Sequence, residues 1–215
     1  MIDISGLCVY GWEEAIRGMR NSWNSWRISD SGFNDVGLLD TLGREDHHLM
    51  YNLASAGSSH AKYRRMITVY CDISAPLYWW KEFDTYKVGT VSNSTSTMHT
   101  ITKKPFDISD FSVEHLTEGN RAGFEEHVIR ALNTARENYK ETNDKTWWWQ
   151  IIQTLPSSHN QKRTILMNYE VLSKIYSDRC DHQLDEWRKF CQWIRNDLPH
   201  SDLITLDRPI NKEAE

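Results

Sequence analysis

The stretch from Tyr63 to His99, YRRMITVYCDISAPLYWWKEFDTYKVGTVSNSTSTMH, changes its period twice and decides the fold. Ile67, Val69, Cys71 and Ile73 alternate with Thr68, Tyr70 and Asp72, the two-residue period of a strand with one buried face. Pro76 suits the first turn of a helix, where its missing N–H costs nothing. Leu77 to Tyr86 then carries bulky apolar residues with Lys81, Glu82 and Asp84 among them. Gly89 leads out into Thr90, Ser92, Asn93, Ser94, Thr95, Ser96 and Thr97, a run that offers N–H and O–H donors to an anion such as a phosphate. The same composition also describes a plain surface loop.

Working outward, residues 1 to 10 read as a short strand. Gly11-Trp12-Glu13-Glu14 opens a helix with acids in its first turn, running to about Trp26. Val36, Leu38, Leu39, Leu42, Leu49, Met50 and Leu53 fall on one broad apolar face and predict a helix over 35–56, ended at Gly57. Beyond the central stretch, 103–123 is irregular, and Phe124, Val128, Leu132, Ala135 and Tyr139 mark a long helix to Thr142. A helix at 147–155 stops at Pro156, a strand covers 162–168, and helices cover 169–176 and 183–197. The reading is an α+β fold, a central sheet flanked by helices, in a single domain over 1–198 with a polar tail from 199 to 215.

The 215 residues are 39% hydrophobic, with a mean hydropathy of -0.65. No stretch approaches the ~20 apolar residues of a membrane span, and Met1 to Tyr10 lacks the basic start and apolar core of a signal peptide, so a cytoplasmic protein without membrane partners is expected. Net charge is -5 with both signs mixed along the chain, which argues against extended nucleic acid as a partner while leaving small anions open. Cys8, Cys71, Cys180 and Cys191 are scattered without a C-x-x-C pair and read as reduced thiols. Cys180-Asp181-His182 has no second cluster to complete a metal site, so no metal is expected, and His47-His48 reads as solvated. Ten tryptophans, with clusters at Trp79-Trp80 and Trp147-Trp148-Trp149, fit either a core or subunit contacts and a flat pocket for an aromatic ligand.

The order of motifs from about residue 12 to 196 resembles the flavin-dependent thymidylate synthases. Ala15-Ile16-Arg17-Gly18-Met19-Arg20-Asn21-Ser22 is similar to that family's early helix ending in a flavin-contacting serine. His60 to Pro76 is similar to its segment from a histidine along a strand to alanine-proline. Leu155-Pro156, then Asn168 and Arg179, reproduces the family spacing of leucine-proline, flavin-contacting asparagine and uracil-contacting arginine. The resemblance implies a homotetramer with FAD, methylation of dUMP using methylenetetrahydrofolate and NADPH, and no cysteine nucleophile. It implies Arg179 as the catalytic cation that polarises the uracil carbonyl. It also implies Ser22, His60, Lys87, Asn93 and Asn168 on the cofactor, and Glu82, Ser94, Thr95, Ser96 and Arg179 on the substrate. Without the family spacing, Arg179 reads as a surface helix-end residue and Asn168 as a helix N-cap.

The chain departs from the family pattern where positive charge is usual. Thr85-Tyr86-Lys87 stands in place of the arginine-histidine-arginine triplet, and Met98 and Ile152 fall where phosphate-binding arginines belong. Glu170 replaces a flavin-side arginine, and Arg65 falls near a family glutamate. Each lost charge-assisted hydrogen bond removes roughly 1.5 to 3 kcal/mol. Lys62, Arg65, Lys87, Lys103 and Lys104 are the cations available to replace them. The alternative implied by these losses is a non-catalytic nucleotide-binding protein on the same scaffold, such as a small viral or bacterial protein that sequesters a nucleotide signal.

Overall fold

The structure is a computed structural model and describes residues 1–206. The fold is α+β, with strand β1 (Asp3–Tyr10), β4 (Thr68–Pro76), β5 (Val91–Ser94) and β6 (Asn160–Asn168) in one sheet in the order β1-β4-β6-β5, flanked by helices. β4 forms as its alternation predicts: Ile67, Val69, Cys71, Ile73 and Ala75 are fully buried and Tyr70 is exposed. Pro76 caps α3 (Leu77–Phe83), which buries Trp79, Trp80 and Phe83.

The chain divides into two compact units. One comprises Met1–Ile4, Ile73–Thr85 and Asn93–Arg163. It holds α3, α4 (Thr97–Thr100), α5 (Glu118–Gly123), α6 (Arg130–Thr142) and α7 (Lys145–Thr154). Its helical core gathers Ile101, Phe106, Phe111, Val113, Ile129, Leu132 and Ile151, with Ile152 and Leu155 packed against them. The predicted helix over 124–142 begins earlier, at Glu118, because Thr117 caps it by accepting the Asn120 N–H, and it carries a π-helical stretch at Phe124–Ile129.

The other unit comprises Ser5–Asp72, Tyr86–Ser92 and the chain from Thr164. It holds α1 (Trp12–Arg20), α2 (Arg44–Ser55), α8 (Tyr169–Arg179), α9 (Asp185–Asp197) and α10 (Asp202–Thr205). Its core includes Trp12, Ile16, Met50, Tyr63, Tyr169, Trp187 and Ile194. The helix predicted over 35–56 is shorter than its apolar pattern. Gly32–Phe33 (β2) and Leu39–Thr41 (β3) pair antiparallel, and α2 starts only at Arg44. Two side chains account for this. Asn34 Oδ1 accepts the N–H groups of Val36 and Leu38, fixing a turn that leaves Val36 78% exposed. Asp30 accepts the N–H groups of Glu45 and Asp46 and so caps α2 from 15 residues away. A Cβ at Gly43 would lie 2.0 Å from the Asp30 carboxylate, so only glycine fits there.

Of the polar tail expected from 199, Asp202–Thr205 is helical and 207–215 lie outside the described residues. Among the described residues no helix is long and apolar enough to cross a membrane, and no group of His, Cys, Asp and Glu is arranged to hold a metal. Trp12, Trp79, Trp80 and Trp187 are core residues, whereas Trp23, Trp26 and Trp149 are exposed.

Candidate functional site

Arg179 is the last residue of α8, and its guanidinium is held from two sides. Its Nε donates to the Tyr86 hydroxyl at 2.9 Å, and its guanidinium carbon sits 4.9 Å from the centroid of the Trp187 ring. The Tyr86 hydroxyl in turn donates to Asp178 Oδ2 at 3.2 Å, and Lys174 reaches the same carboxylate at 3.0 Å. Burial pushes the Tyr86 phenol up, against the lowering effect of Arg179, so Tyr86 stays a neutral donor at physiological pH. This half-buried arginine is therefore fixed in one plane between two aromatic residues, which suits it to a planar hydrogen-bonding partner and not to a freely turning one.

Asn168 is the N-cap of α8: its Oδ1 accepts the Val171 N–H at 2.9 Å. Its amide nitrogen faces Gly89, where a Cβ would come within 2.6 Å and where φ is +82°, so both the space and the backbone call for glycine. Thr90 Oγ1 donates to the Tyr86 carbonyl, closing the turn that carries Lys87 and Gly89. Lys87 is exposed on that turn.

Ser22 is exposed in a 3₁₀ turn, Asn21–Trp23, directly after α1. That turn is anchored by the preceding residue. Arg20, 2% exposed, donates through Nε to fully buried Asp46 at 2.5 Å and through Nη1 to the Ser25 carbonyl at 3.3 Å. Asp46 also accepts from Ser29, from Ser31 Oγ and from the N–H groups of Asp30 and Ser31. Burial opposes its ionisation, but these hydrogen bonds and Arg20 outweigh that and hold its carboxyl below the usual range. His60 is exposed in the turn after α2. Ser22, His60 and Lys87 are each exposed, and their side chains make no hydrogen bond among the described residues.

In the helical unit, Asn93, Ser94 and Thr95 are exposed and Ser96 is half-buried at the start of α4. Thr95 is tied to β6: its N–H donates to the Lys162 carbonyl, and its carbonyl accepts from Gln161 Nε2, both at 2.9 Å. Glu82 lies half-buried on α3. A cavity of about 330 Å³ opens beside Thr95, with Lys103, Lys104, Lys162, His159 and Phe106 in its wall. Cys71 and Cys191 are buried thiols pushed up to about 12, which leaves neither available as a thiolate near neutral pH.

No protein-family model matches the sequence, and no curated protein matches it either. The architecture, however, has solved counterparts. Thymidylate synthase X from Helicobacter pylori, solved with FAD and dUMP, superposes with a TM-score of 0.71 at 16% identity, over 94% of this chain and 96% of that one. A second structure of the flavin-dependent enzyme from the same organism, also with FAD and dUMP, gives a TM-score of 0.69 over the same shares. The fold is that of flavin-dependent thymidylate synthase.

On the thymidylate synthase fold, several residues matter that the sequence did not single out. Tyr86 stands in the place of the family's basic triplet and became the partner of Arg179. Trp187 lies on α9 and meets Arg179 only through tertiary packing, with no spacing to announce it. Asp46 read only as an acid inside the helix predicted over 35–56, and its place in the first turn of α2 came with the structure. His159 and Lys162 follow Pro156 at the polar start of β6, where a strand beginning among hydrophilic residues was the available signal.

Proposed function

We propose that this protein is a divergent flavin-dependent thymidylate synthase-like protein that binds a pyrimidine nucleotide, dUMP, and FAD in the cytoplasm. The observation that carries this reading is Arg179, at the position that the family resemblance gives to the uracil-contacting arginine and already oriented between Tyr86 and Trp187. An arginine fixed this way would meet the carbonyl edge of a uracil without further ordering and withdraw charge from the ring, making its carbon 5 nucleophilic. Glu82 and the hydroxyls of Ser94, Thr95 and Ser96 would serve the substrate, and Asn93 the cofactor.

Exposed Ser22, His60 and Lys87 would offer a flavin hydrogen-bond donors and one positive charge. Asn168 enters with its carbonyl oxygen committed to capping α8. A bound flavin, reduced by NADPH, would supply the hydride that turns the one-carbon unit of methylenetetrahydrofolate into a methyl group. Lys87 would then be the cation nearest in sequence to the family's arginines. The protein is expected to purify with little flavin and to gain a bound-flavin absorbance spectrum on reconstitution with FAD, a gain that Lys87→Ala abolishes. Absence of both a bound spectrum and a thermal shift in excess FAD would remove the enzyme reading.

A second reading, a non-catalytic nucleotide-binding protein on this scaffold, is favoured by the side chains at Tyr86, where the resemblance places the triplet's histidine, and at Ile152, where it places an arginine. Tyr86 is 8% exposed and engaged with Arg179 and Asp178, and Ile152 packs against the apolar core of the helical unit. Neither side chain offers a cation to a phosphate. Release of tritium from 5-tritiated dUMP in the presence of FAD, NADPH and methylenetetrahydrofolate separates the two readings.

Assembly belongs to the same proposal. Trp23, Trp26, Ile28, Val36 and Leu38, all exposed between α1 and β3, are large apolar residues suited to a subunit interface. Light scattering coupled to size exclusion should give about four times 25.3 kDa. A clean monomer at micromolar concentration would rule out a tetramer.

A further inference from the structure

The Tyr86 hydroxyl stands between two charged groups of α8, with Arg179 Nε at 2.9 Å and Asp178 Oδ2 at 3.2 Å. A guanidinium has only donors, and a phenol has one proton and two lone pairs. Both contacts can therefore form in one way alone: Arg179 donates to a lone pair of the phenol, and the phenol proton points at Asp178. Turned toward Arg179, that proton would face an N–H donor and the contact would be lost. The rest of Tyr86 has little freedom. The residue is 8% exposed, its ring meets Trp187 edge-on with centroids 6.0 Å apart, and the Thr90 hydroxyl donates to its carbonyl. What remains free to turn is the O–H bond, and Asp178 sets it.

Trp187, 4.9 Å from the guanidinium carbon, restrains the tilt of the Arg179 plane, whereas rotation within that plane is left to hydrogen bonds. The bond from Nε to Tyr86 supplies an in-plane direction and ties together residues 93 apart in the chain. Burial is the main cause that pushes the Tyr86 phenol up; Asp178 acts in the same sense and Arg179 opposes it. The phenol therefore stays neutral and does not become a counter-ion that competes with a ligand for Arg179. Lys174 pairs with the same Asp178 oxygen at 3.0 Å, but the two side chains are 67% and 40% exposed, so water screens that pair and it adds little to the hold on Arg179.

We propose that Asp178 is a positioning residue for Arg179, acting through the Tyr86 hydroxyl and touching no ligand itself. This rests on the reading of Arg179 as the uracil-contacting cation. Asp178 fixes the phenol proton, the phenol fixes the direction of the Arg179 Nε–H, and the guanidinium meets a uracil carbonyl already aligned, without an ordering cost at binding. Tyr86 stands where the family resemblance places a histidine, so the relay of carboxylate, phenol and guanidinium is built from this chain's own residues.

Titration calorimetry with dUMP and the ¹H–¹⁵N signal of Arg179 Nε test this in the full chain, in Asp178→Ala, Asp178→Asn, Lys174→Ala and Tyr86→Phe, and in the double variant Asp178→Ala/Tyr86→Phe. Asp178 is exposed, so its substitutions leave the core intact. Asp178→Ala should weaken dUMP binding roughly fivefold, the equivalent of one hydrogen bond, and Asp178→Asn, whose amide oxygen can still accept the phenol proton, should retain most of the affinity. In the Tyr86→Phe background, Asp178→Ala should change the affinity by no more than about twofold, because the group it acts through is gone. Lys174→Ala should bind dUMP as the parent does. The Arg179 Nε–H signal, sharp in the ligand-free parent, should broaden through faster exchange with water in Asp178→Ala and Tyr86→Phe alike and stay sharp in Asp178→Asn. An effect of Asp178→Ala that persists in full in the Tyr86→Phe background, a matching loss in Lys174→Ala, or an unmoved Nε–H signal in Asp178→Ala overturns the assignment. Absence of dUMP binding in the parent would remove the uracil reading, while the Nε–H signal, which requires no nucleotide, still decides whether Asp178 orders Arg179.

Discussion

Each compact unit encloses an arginine, Arg136 in the helical unit and Arg20 in the other, but the cavity with three lysines in its wall, Lys103, Lys104 and Lys162, belongs to the helical unit. In the unit that carries α8, arginines are enclosed: Arg20 is buried against Asp46, and Arg179 is held between Tyr86 and Trp187. In the helical unit, exposed Lys103 and Lys104 stand at the wall of a cavity, and Lys104 pairs with Asp110. An enclosed guanidinium keeps one orientation and favours a planar partner, whereas an ammonium on a flexible stem accepts a phosphate from many directions. Charge enclosed with Asp46 or between Tyr86 and Trp187 therefore holds structure, whereas the exposed Lys103 ammonium is not committed to an ion pair among the described residues.

The largest effect that can break this contrast is at Asp46. Asp46→Ala would leave Arg20 buried without its carboxylate and Ser29, Ser31 and two N–H groups without an acceptor. A loss of about 3–5 kcal/mol is expected in urea unfolding. The 3₁₀ turn bearing Ser22 should loosen with it. A near-parental midpoint would show that the enclosed arginine is dispensable to the fold.

Arg179 should show an intermediate effect with two faces. Arg179→Ala is expected to weaken dUMP binding by ~2 kcal/mol, and the lost contacts with Tyr86 and Trp187 should lower stability by about 1 kcal/mol. Tyr86→Phe keeps the ring and removes only the hydroxyl, so it should cost about 1 kcal/mol of stability and reduce dUMP affinity less than Arg179→Ala. Equal loss of affinity in both variants would mean that orientation of the guanidinium, and not its charge, decides recognition.

The smallest effect compares one histidine from each unit. His159 and His200 both lie below the ordinary imidazole value of 6.5, each chiefly through burial, with Lys104 and His47 respectively adding to the lowering. A histidine kept neutral by folding binds fewer protons than it does in the unfolded chain. Its contribution is present above about pH 6.5 and is lost as pH falls through the lower folded value. Thermal stability should therefore decline on acidification from pH 7 towards 5. His159→Gln should flatten part of that decline, and thermal melts of both proteins between pH 7 and 5 check it.

The periodic elements were open to sequence reading. Alternation fixed β4, the Pro76 junction fixed the change to α3, and the four-residue spacing of Phe124, Val128 and Leu132 marked the long helix, because each depends on neighbours along the chain. The α2 boundary was not legible, since the apolar residues at 36–42 fit a helical face while Asn34 and Asp30 diverted the backbone by hydrogen bonds that no periodicity records. The same division runs through the candidate site. The family resemblance singled out Asn168 and Arg179, and it placed Tyr86 within a triplet expected to be basic. That Asn168 caps α8 beside Gly89, that Trp187 supports Arg179 from another helix, that Asp46 anchors the turn of Ser22, and that His159 shares a cavity with Lys103 were settled only by the tertiary fold. Local pattern is set by backbone geometry over a few residues. Side-chain partners drawn from distant segments are set by which surfaces the core brings together, and the sequence carries no period for that.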